Sequence, residues 1–251
     1  MIENGADALQ AFTSRVLALL LAQSQSQNSE ILKAAKALAT TIENDGLIHT
    51  FGTGHSHLLA EEIFYRAGGL ANVSLFVNDD LMLHKAVVSA TAKEREPGVV
   101  DSLLKLHPLD KGDCLIVISN SGGNGASLEL AQRAKKLGIT VIALTSVNHA
   151  TSGSARSKNS LKLHEIVDIV LDNGGVPGDA FMNIEGIPTP VGATSTIVGA
   201  YLLESLVVQT IAMLASKGKV PDLFLSSNLE GGDMHNAKLF AKYLSRIEIL
   251  N

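Results

Sequence analysis

Several things are scarce in these 251 residues. There is one cysteine, Cys114, so no disulfide can form within the chain, and its place in an apolar run marks it as a buried structural thiol. There is no tryptophan, and aromatic residues are only 4%. Basic residues number 20 against 25 acidic, a formal charge of -5, which lacks the concentrated basic surface that nucleic acid or an anionic membrane demands. The apolar stretch Leu17–Ala22 is too short to cross a bilayer, Arg15 interrupts its approach, and Glu3 and Asp7 stand where a leader would be basic. No internal repeat and no charged tail is present. A cytoplasmic protein is expected, with no nucleic-acid or membrane partner.

What is present is 46% hydrophobic residues and 22 glycines, a composition suited to an α/β protein with many tight strand-to-helix turns. Residues 6–22 carry Leu9, Phe12, Val16, Leu19 and Leu20 at helical spacing, and a second helix runs from Asn28 or Ser29 to about Asn44. These two helices predict an N-terminal helical extension, 1–45, on a single domain spanning 1–251. Short apolar runs then alternate with helices. Strands are predicted at Leu47–Phe51, Val73–Val77, Cys114–Ile118, Thr140–Leu144 and Ile166–Leu171. Helices are predicted at Ser56–Ala67, Leu81–Ala92, Val99–Leu106, Ala126–Leu137 and Ser195–Ser216, with a last one from Asp233 to about Arg246 inside a C-terminal segment, 218–251, that packs on the domain or on a partner subunit. Strands without strict polar alternation are covered on both faces, so the reading is a mostly parallel sheet between helical layers.

In such a sheet ligands bind at the carboxyl ends of the strands. The most informative junction there is Val117-Ile118-Ser119-Asn120-Ser121-Gly122-Gly123-Asn124-Gly125, a strand emptying into small residues before a helix. Peptide N–H groups, the positive helix end and two serine hydroxyls can together hold a phosphate, here without a basic side chain in the loop. Two further junctions fall on the same edge, Phe51-Gly52-Thr53-Gly54-His55-Ser56-His57 and Ala143-Leu144-Thr145-Ser146. The first lacks the three-glycine spacing of a dinucleotide fingerprint, and no acidic residue ends the second strand, so no nicotinamide cofactor is expected.

Together the Gly52–Ser56 loop, the Ile118–Gly122 loop, Thr145-Ser146 and Gly192-Ala193-Thr194-Ser195-Thr196 at the head of a long helix resemble the sugar isomerase (SIS) domain family, over roughly residues 30–217. More closely, Phe51–Gly69 together with Ser226, Asn228 and Glu230-Gly231-Gly232-Asp233 resembles a group of SIS proteins labelled phosphosugar or phosphoheptose isomerases. The resemblance implies a flavodoxin-like three-layer sandwich around a five-stranded parallel sheet, a phosphosugar ligand, and a homodimer or homotetramer with sites near subunit boundaries. It implies phosphate contacts from Ser119, Ser121, Gly122 and Asn124 and from the helix entry at Thr194, Ser195 and Thr196. The sugar side falls to Gly54 and Ser56, with His57 and Ser146 nearby. The plainer reading is that these serines and threonines only cap helices.

Aldose–ketose isomerisation needs a base at a carbon-bound proton and a second group to move protons between oxygens. Glu61 and Glu62 are the candidate bases; adjacent helical residues diverge by about 100°, so one at most faces a cleft, and the plain alternative is a surface carboxylate paired with Arg66. His55 and His57 flank Ser56, and only one can point inward. Family histidines on a late helix have no counterpart in 195–216, which leaves His235, reaching across a subunit boundary, as a substitute. His107 and His164 read as structural or solvated. His55, His57 and His84 were weighed as zinc ligands, but His-x-His on a loop lacks a placed third ligand, so neither metal nor cofactor is expected. Lys93-Glu94-Arg95-Glu96, Lys158 and Lys162 read as solvated faces, and Asn173–Asn183, with Asp179 and the following Glu185, as a lid or a connection. The functional expectation is a phosphosugar isomerase working through an enediol, with etherase chemistry on an amino-sugar phosphate, a non-catalytic phosphosugar sensor and a vestigial site as rivals.

Overall fold

In the computed structural model, residues 7–85, 87–94, 96, 98–153 and 161–250 are described; Ala6, Arg95 and Lys158 lie outside them. Helices α1 (Ala8–Ser26) and α2 (Asn28–Glu43) precede strand β1 (Ile48–Gly52) and helix α3 (His55–Glu62). Then follow β2 (Val73–Leu75), a 3-10 turn at Asp79–Leu81, α4 (Val87–Lys93), α5 (Val99–Leu106), β3 (Cys114–Ile118), α6 (Gly125–Lys136), β4 (Thr140–Thr145), α7 (Val147–Thr151), α8 (Leu163–Ile166) and β5 (Ile169–Asp172). A small antiparallel hairpin, β6 (Ala180–Met182) with β7 (Val191–Ala193), leads into α9 (Ser195–Ser216), and α10 (Gly232–Tyr243) and a 3-10 turn at Glu248–Leu250 follow.

The five main strands form one parallel sheet in the order β2-β1-β3-β4-β5, as the α/β reading expects. Alternation along β3 shows how the layers are built. Cys114, Ile116 and Ile118 point into a core shared with α2, α3 and α9, while Leu115 and Val117 point into a second core beneath α5, α6 and α8. Burial pushes the Cys114 thiol up to about 12, with Asp168 adding to the shift, so it stays a neutral packing group. Helix α9 is long and apolar enough by composition to cross a membrane. In this fold Val198, Leu202, Leu203 and Leu206 are buried in the core beside α2 instead.

Four expectations shift. Strand β5 begins at Ile169 and not Ile166, because the residues before it form α8, whose Glu165 carboxylate accepts from the Lys162 amide at 2.6 Å. Helix α3 ends at Glu62 where a run to Ala67 was expected; Tyr65 takes φ +46° and sets its ring against Phe224 and Phe240. The expected helix from Leu81 is a 3-10 turn capped by Asn78, followed by the shorter α4. The glycine-rich stretch after β5 holds a hairpin, pinned to α1 by Phe181 against Phe12, ring centroids 5.9 Å apart, and by Arg15 donating to the Phe181 carbonyl. The C-terminal segment packs on its own chain: Phe224, Leu239, Tyr243 and Ile247 form a third cluster over Leu47 and Ala71.

Candidate functional site

Strand β1 is followed in sequence by β2 on one side of it and then by β3 on the other, so the order reverses between β1 and β3. Outside their carboxyl ends the loops diverge and leave a crevice. Here it is a cleft of about 250 Å³, lined by His55, Ser56 and Leu59 from α3, Ile118 and Asn120 from β3 and its loop, and Asp179, Ser195 and Thr196 from the far wall. Leu144, Asn173 and Ala193 complete it.

The β1 loop can turn this tightly only through glycine. A Cβ on Gly52 would lie 2.4 Å from the Ser56 carbonyl oxygen, so the end of β1 lies directly against the first turn of α3. That placement puts His55 and Ser56 at the cleft and sends His57 the other way. His57 is buried, its Nε2 sits 3.2 Å from Glu61 Oε1, and its Nδ1 has no partner among the described residues. Burial holds the His57 imidazole below its ordinary value; Glu61 pulls against that shift and His84 adds to it. Glu62 pairs with Arg66 at 3.1 Å, and the same guanidinium lies 4.0 Å from Glu204. Burial raises the Glu204 carboxyl, Arg66 opposing and Glu62 reinforcing. Neither Glu61 nor Glu62 lines the cleft.

The serine loop divides its amides. Ser119 N–H donates to the Leu144 carbonyl and Gly122 N–H to the Ser119 carbonyl, at 3.0 and 3.1 Å. The amides of Ser121, Gly123 and Gly125 make no hydrogen bond to another described residue, and they stand at the head of α6. The Asn124 side chain is engaged elsewhere: its oxygen caps the Ala126 amide, and its Nδ2 donates to Thr53 Oγ1 and Glu94 Oε2. Glu94 is therefore no solvated face, since it also accepts from Thr53 Oγ1 at 2.9 Å. Lys162 is not solvated either. It is 9% exposed, forms no ion pair with a described residue, and precedes Leu163, whose amide donates to the Gly122 carbonyl at 2.8 Å.

The α9 entry differs. The Asp179 carboxylate seats itself on the helix end: Oδ1 accepts from the Thr194 and Ser195 amides at 3.0 and 2.8 Å, and Oδ2 from Ser195 Oγ at 2.5 Å. Ser146 is fully buried, capping α7 at His149 and donating to the Gly175 carbonyl. Gly54 takes φ +57° ahead of α3 and lies outside the cleft lining. His235 donates from Nε2 to the Leu223 carbonyl and does not reach the cleft. His107 accepts the Val77 amide and stacks on Phe76. Among the described residues, no three His, Cys, Asp or Glu side chains gather as metal ligands would. Sequence reasoning assigned no role to Asn120 or Asn173, which bond each other at 2.9 Å across the cleft floor. Both follow strand ends, and that position was the available signal. Asp179 was legible only as part of a lid or connection, since it lies 16 residues before the first residue of the helix it caps.

Comparison with known proteins identifies the family and the fold. The SIS domain profile matches residues 11–146. The UPF0309 protein BH3325 of Halalkalibacterium halodurans is 40% identical over 88% of this chain and 91% of its own length. The phosphoheptose isomerase GmhA of Neisseria gonorrhoeae shares the fold, with a TM-score of 0.55 at 17% identity over 83% of this chain and all of that one. So does the NanR protein of Vibrio vulnificus, solved with ManNAc-6P, with a TM-score of 0.51 at 17% identity over 95% of this chain and 70% of that one. The profile match over more than half the chain and the near full-length relative place this protein in the SIS domain family.

Proposed function

We propose that this protein binds a sugar monophosphate in the cleft between β1 and β3 and interconverts its aldose and ketose forms through an enediol. The observation that carries the reading is the cleft itself, a small-ligand volume at the strand-order reversal, lined by Asn120 of the serine loop and by the first residues of α3 and α9. Ser119, Ser121 and Gly122, in the loop that meets the cleft at Asn120 but outside its lining, are assigned to the phosphate end; His55 and Ser56 face the sugar. The fold shared with a phosphoheptose isomerase and with a protein bound to ManNAc-6P supports the ligand class.

His55 is the titratable side chain at the cleft suited to shuttle protons between oxygens. The glutamate base is assigned to Glu61 or Glu62 in a homo-oligomer: Glu61 is 53% exposed and free to face a second copy. One observation favours a second reading. Neither glutamate lines the cleft of its own chain, as suits a phosphosugar sensor that binds without turnover.

A thermal-shift screen across sugar phosphates, followed by turnover in deuterated water, tests the proposal. Isomerisation is expected to place deuterium on the carbon beside the carbonyl, and Glu61→Gln with Glu62→Gln to stop it while binding persists. Binding without deuterium uptake leaves the sensor. Lactate released from a muramic acid phosphate identifies the etherase. A melting temperature indifferent to every phosphate ester removes all three.

A further inference from the structure

The positive end of α6, whose preceding loop reaches the cleft at Asn120, and that of α9, whose Ser195 and Thr196 line it, are not equivalent, and the difference constrains the ligand. At the serine loop the amides of Ser121, Gly123 and Gly125 are open. Lys162 precedes Leu163, whose amide bonds the loop at the Gly122 carbonyl, while Glu94 is held by Thr53 and Asn124. At α9 the Asp179 carboxylate already occupies the helix end through three hydrogen bonds, and Asp179 itself lines the cleft. From this geometry, and resting on the phosphosugar reading above, we infer that Asp179 is a specificity-determining residue that admits only ligands whose end opposite the phosphate is uncharged.

Its charge is fixed where a second anion would otherwise settle. A carboxylate or second phosphate brought to the α9 wall meets a full negative charge on a helix end already neutralised. A hydroxyl brought there finds a carboxylate oxygen ready to accept, with Thr196, Asn120 and Asn173 around it. The backbone strain fits a side chain placed for its charge. Asp179 sits at φ +69°, which aspartate tolerates better than most residues but still at a cost. The substrate class is therefore a sugar monophosphate with a neutral polyol or carbonyl terminus, and sugar acids and bisphosphates are discriminated against.

Two six-carbon probes differing only at the far end test this: glucitol 6-phosphate, which ends in a hydroxymethyl group, and 6-phosphogluconate, which ends in a carboxylate. Two unit charges about 6 Å apart change affinity by about threefold in bulk water and by about a hundredfold at an effective dielectric of about 20, so wild type is expected to prefer glucitol 6-phosphate by about tenfold. Asp179→Asn keeps an oxygen to cap the α9 amides and a side chain at home at positive φ, and removes the charge, with its Nδ2 donating to Ser195 Oγ where the carboxylate accepted. It is expected to bring the two affinities within about threefold, mainly by tightening 6-phosphogluconate. A merely structural role would weaken both probes together and leave the ratio alone. If the variant does not fold, the wild-type ratio against salt decides, because a charge-based preference shrinks as salt rises. An unchanged ratio in Asp179→Asn, or a wild-type preference absent or insensitive to salt, overturns the inference while leaving phosphosugar binding in place. Failure of wild type to bind either probe or any other phosphate ester overturns both.

Discussion

At the amino edge of the sheet, one carboxylate gathers three buried donors; at the carboxyl edge, the loop after β3 leaves some of its amides without a partner among the described residues. Asp113, just before β3, accepts from the Leu47 amide at 2.8 Å, the Asp110 amide at 2.8 Å and His49 Nε2 at 2.9 Å, with both side chains all but inaccessible. Burial alone would raise the Asp113 carboxyl. The bonds from His49, Leu47 and Asp110 outweigh that and hold it below the usual range. His49 Nδ1 stays buried without a partner among the described residues. The lesson is that polar residues beside the same strands can be spent on internal bonds at one sheet edge and left unpartnered at the other.

The contrast can be broken at either end. The largest effect is expected from Asp113→Ala, which leaves three donors buried and unpaired; a loss of about 3–5 kcal/mol, read from urea denaturation, is expected. The pH dependence follows from the lowered carboxyl. The stabilisation from Asp113 is fully present above the ordinary aspartate value, about 4, and fades as pH falls through the lower folded value. The variant should therefore show a flatter acid limb, and an unaltered limb would remove this account. Next comes Gly52→Val, whose Cβ must displace the Ser56 carbonyl; about 1–3 kcal/mol is expected to be lost, together with ligand-induced stabilisation.

Ser121→Tyr sharpens the comparison from the open side. The Ser121 side chain makes no hydrogen bond to a described residue, so the unliganded protein should melt within about 0.5 kcal/mol of wild type, while the shift given by a sugar phosphate disappears. A retained shift would place the phosphate elsewhere. The smallest effect concerns His57, the second histidine–carboxylate pair. Its lowered value means that stability is present above about 6.5 and declines as pH falls through the folded value. Because Glu61 opposes the lowering, Glu61→Gln should move the His57 titration further down in an NMR experiment. The cost in stability should stay under about 1 kcal/mol, since Glu61 is half exposed.

Much of the fold was legible. β1, β3 and β4 fall within one residue of expectation because each is a short apolar run bounded by glycine, aspartate or a hydroxyl cluster. Helix α9 was legible end to end from its unbroken apolar pattern. The errors share a cause. Ile63 and Phe64 continue the helical pattern of α3, but a distant surface at Phe224 and Phe240 turns Tyr65 out of it. The hairpin after β5 is half exposed and depends on Phe12 of α1, so its own residues carried little strand signal. At the site, the serine loop stood out because hydroxyls and glycines after a buried strand serve few structural ends. Lys162 misled for the opposite reason: lysine is rarely buried, and only the fold around α8 explains why this one is.

From residues alone came the α/β class, the parallel strands, and the expectation of a ligand at the carboxyl edge beside a loop suited to an anion. These are decided locally, by apolar periodicity and by which backbone turns glycine and serine permit. Tertiary structure decided the strand order, which glutamates stay out of the cleft, that His55 faces it while His57 does not, and that Asp179 seats itself on α9. Those depend on contacts between segments far apart in sequence, where each side chain's direction follows from packing and no local pattern records it.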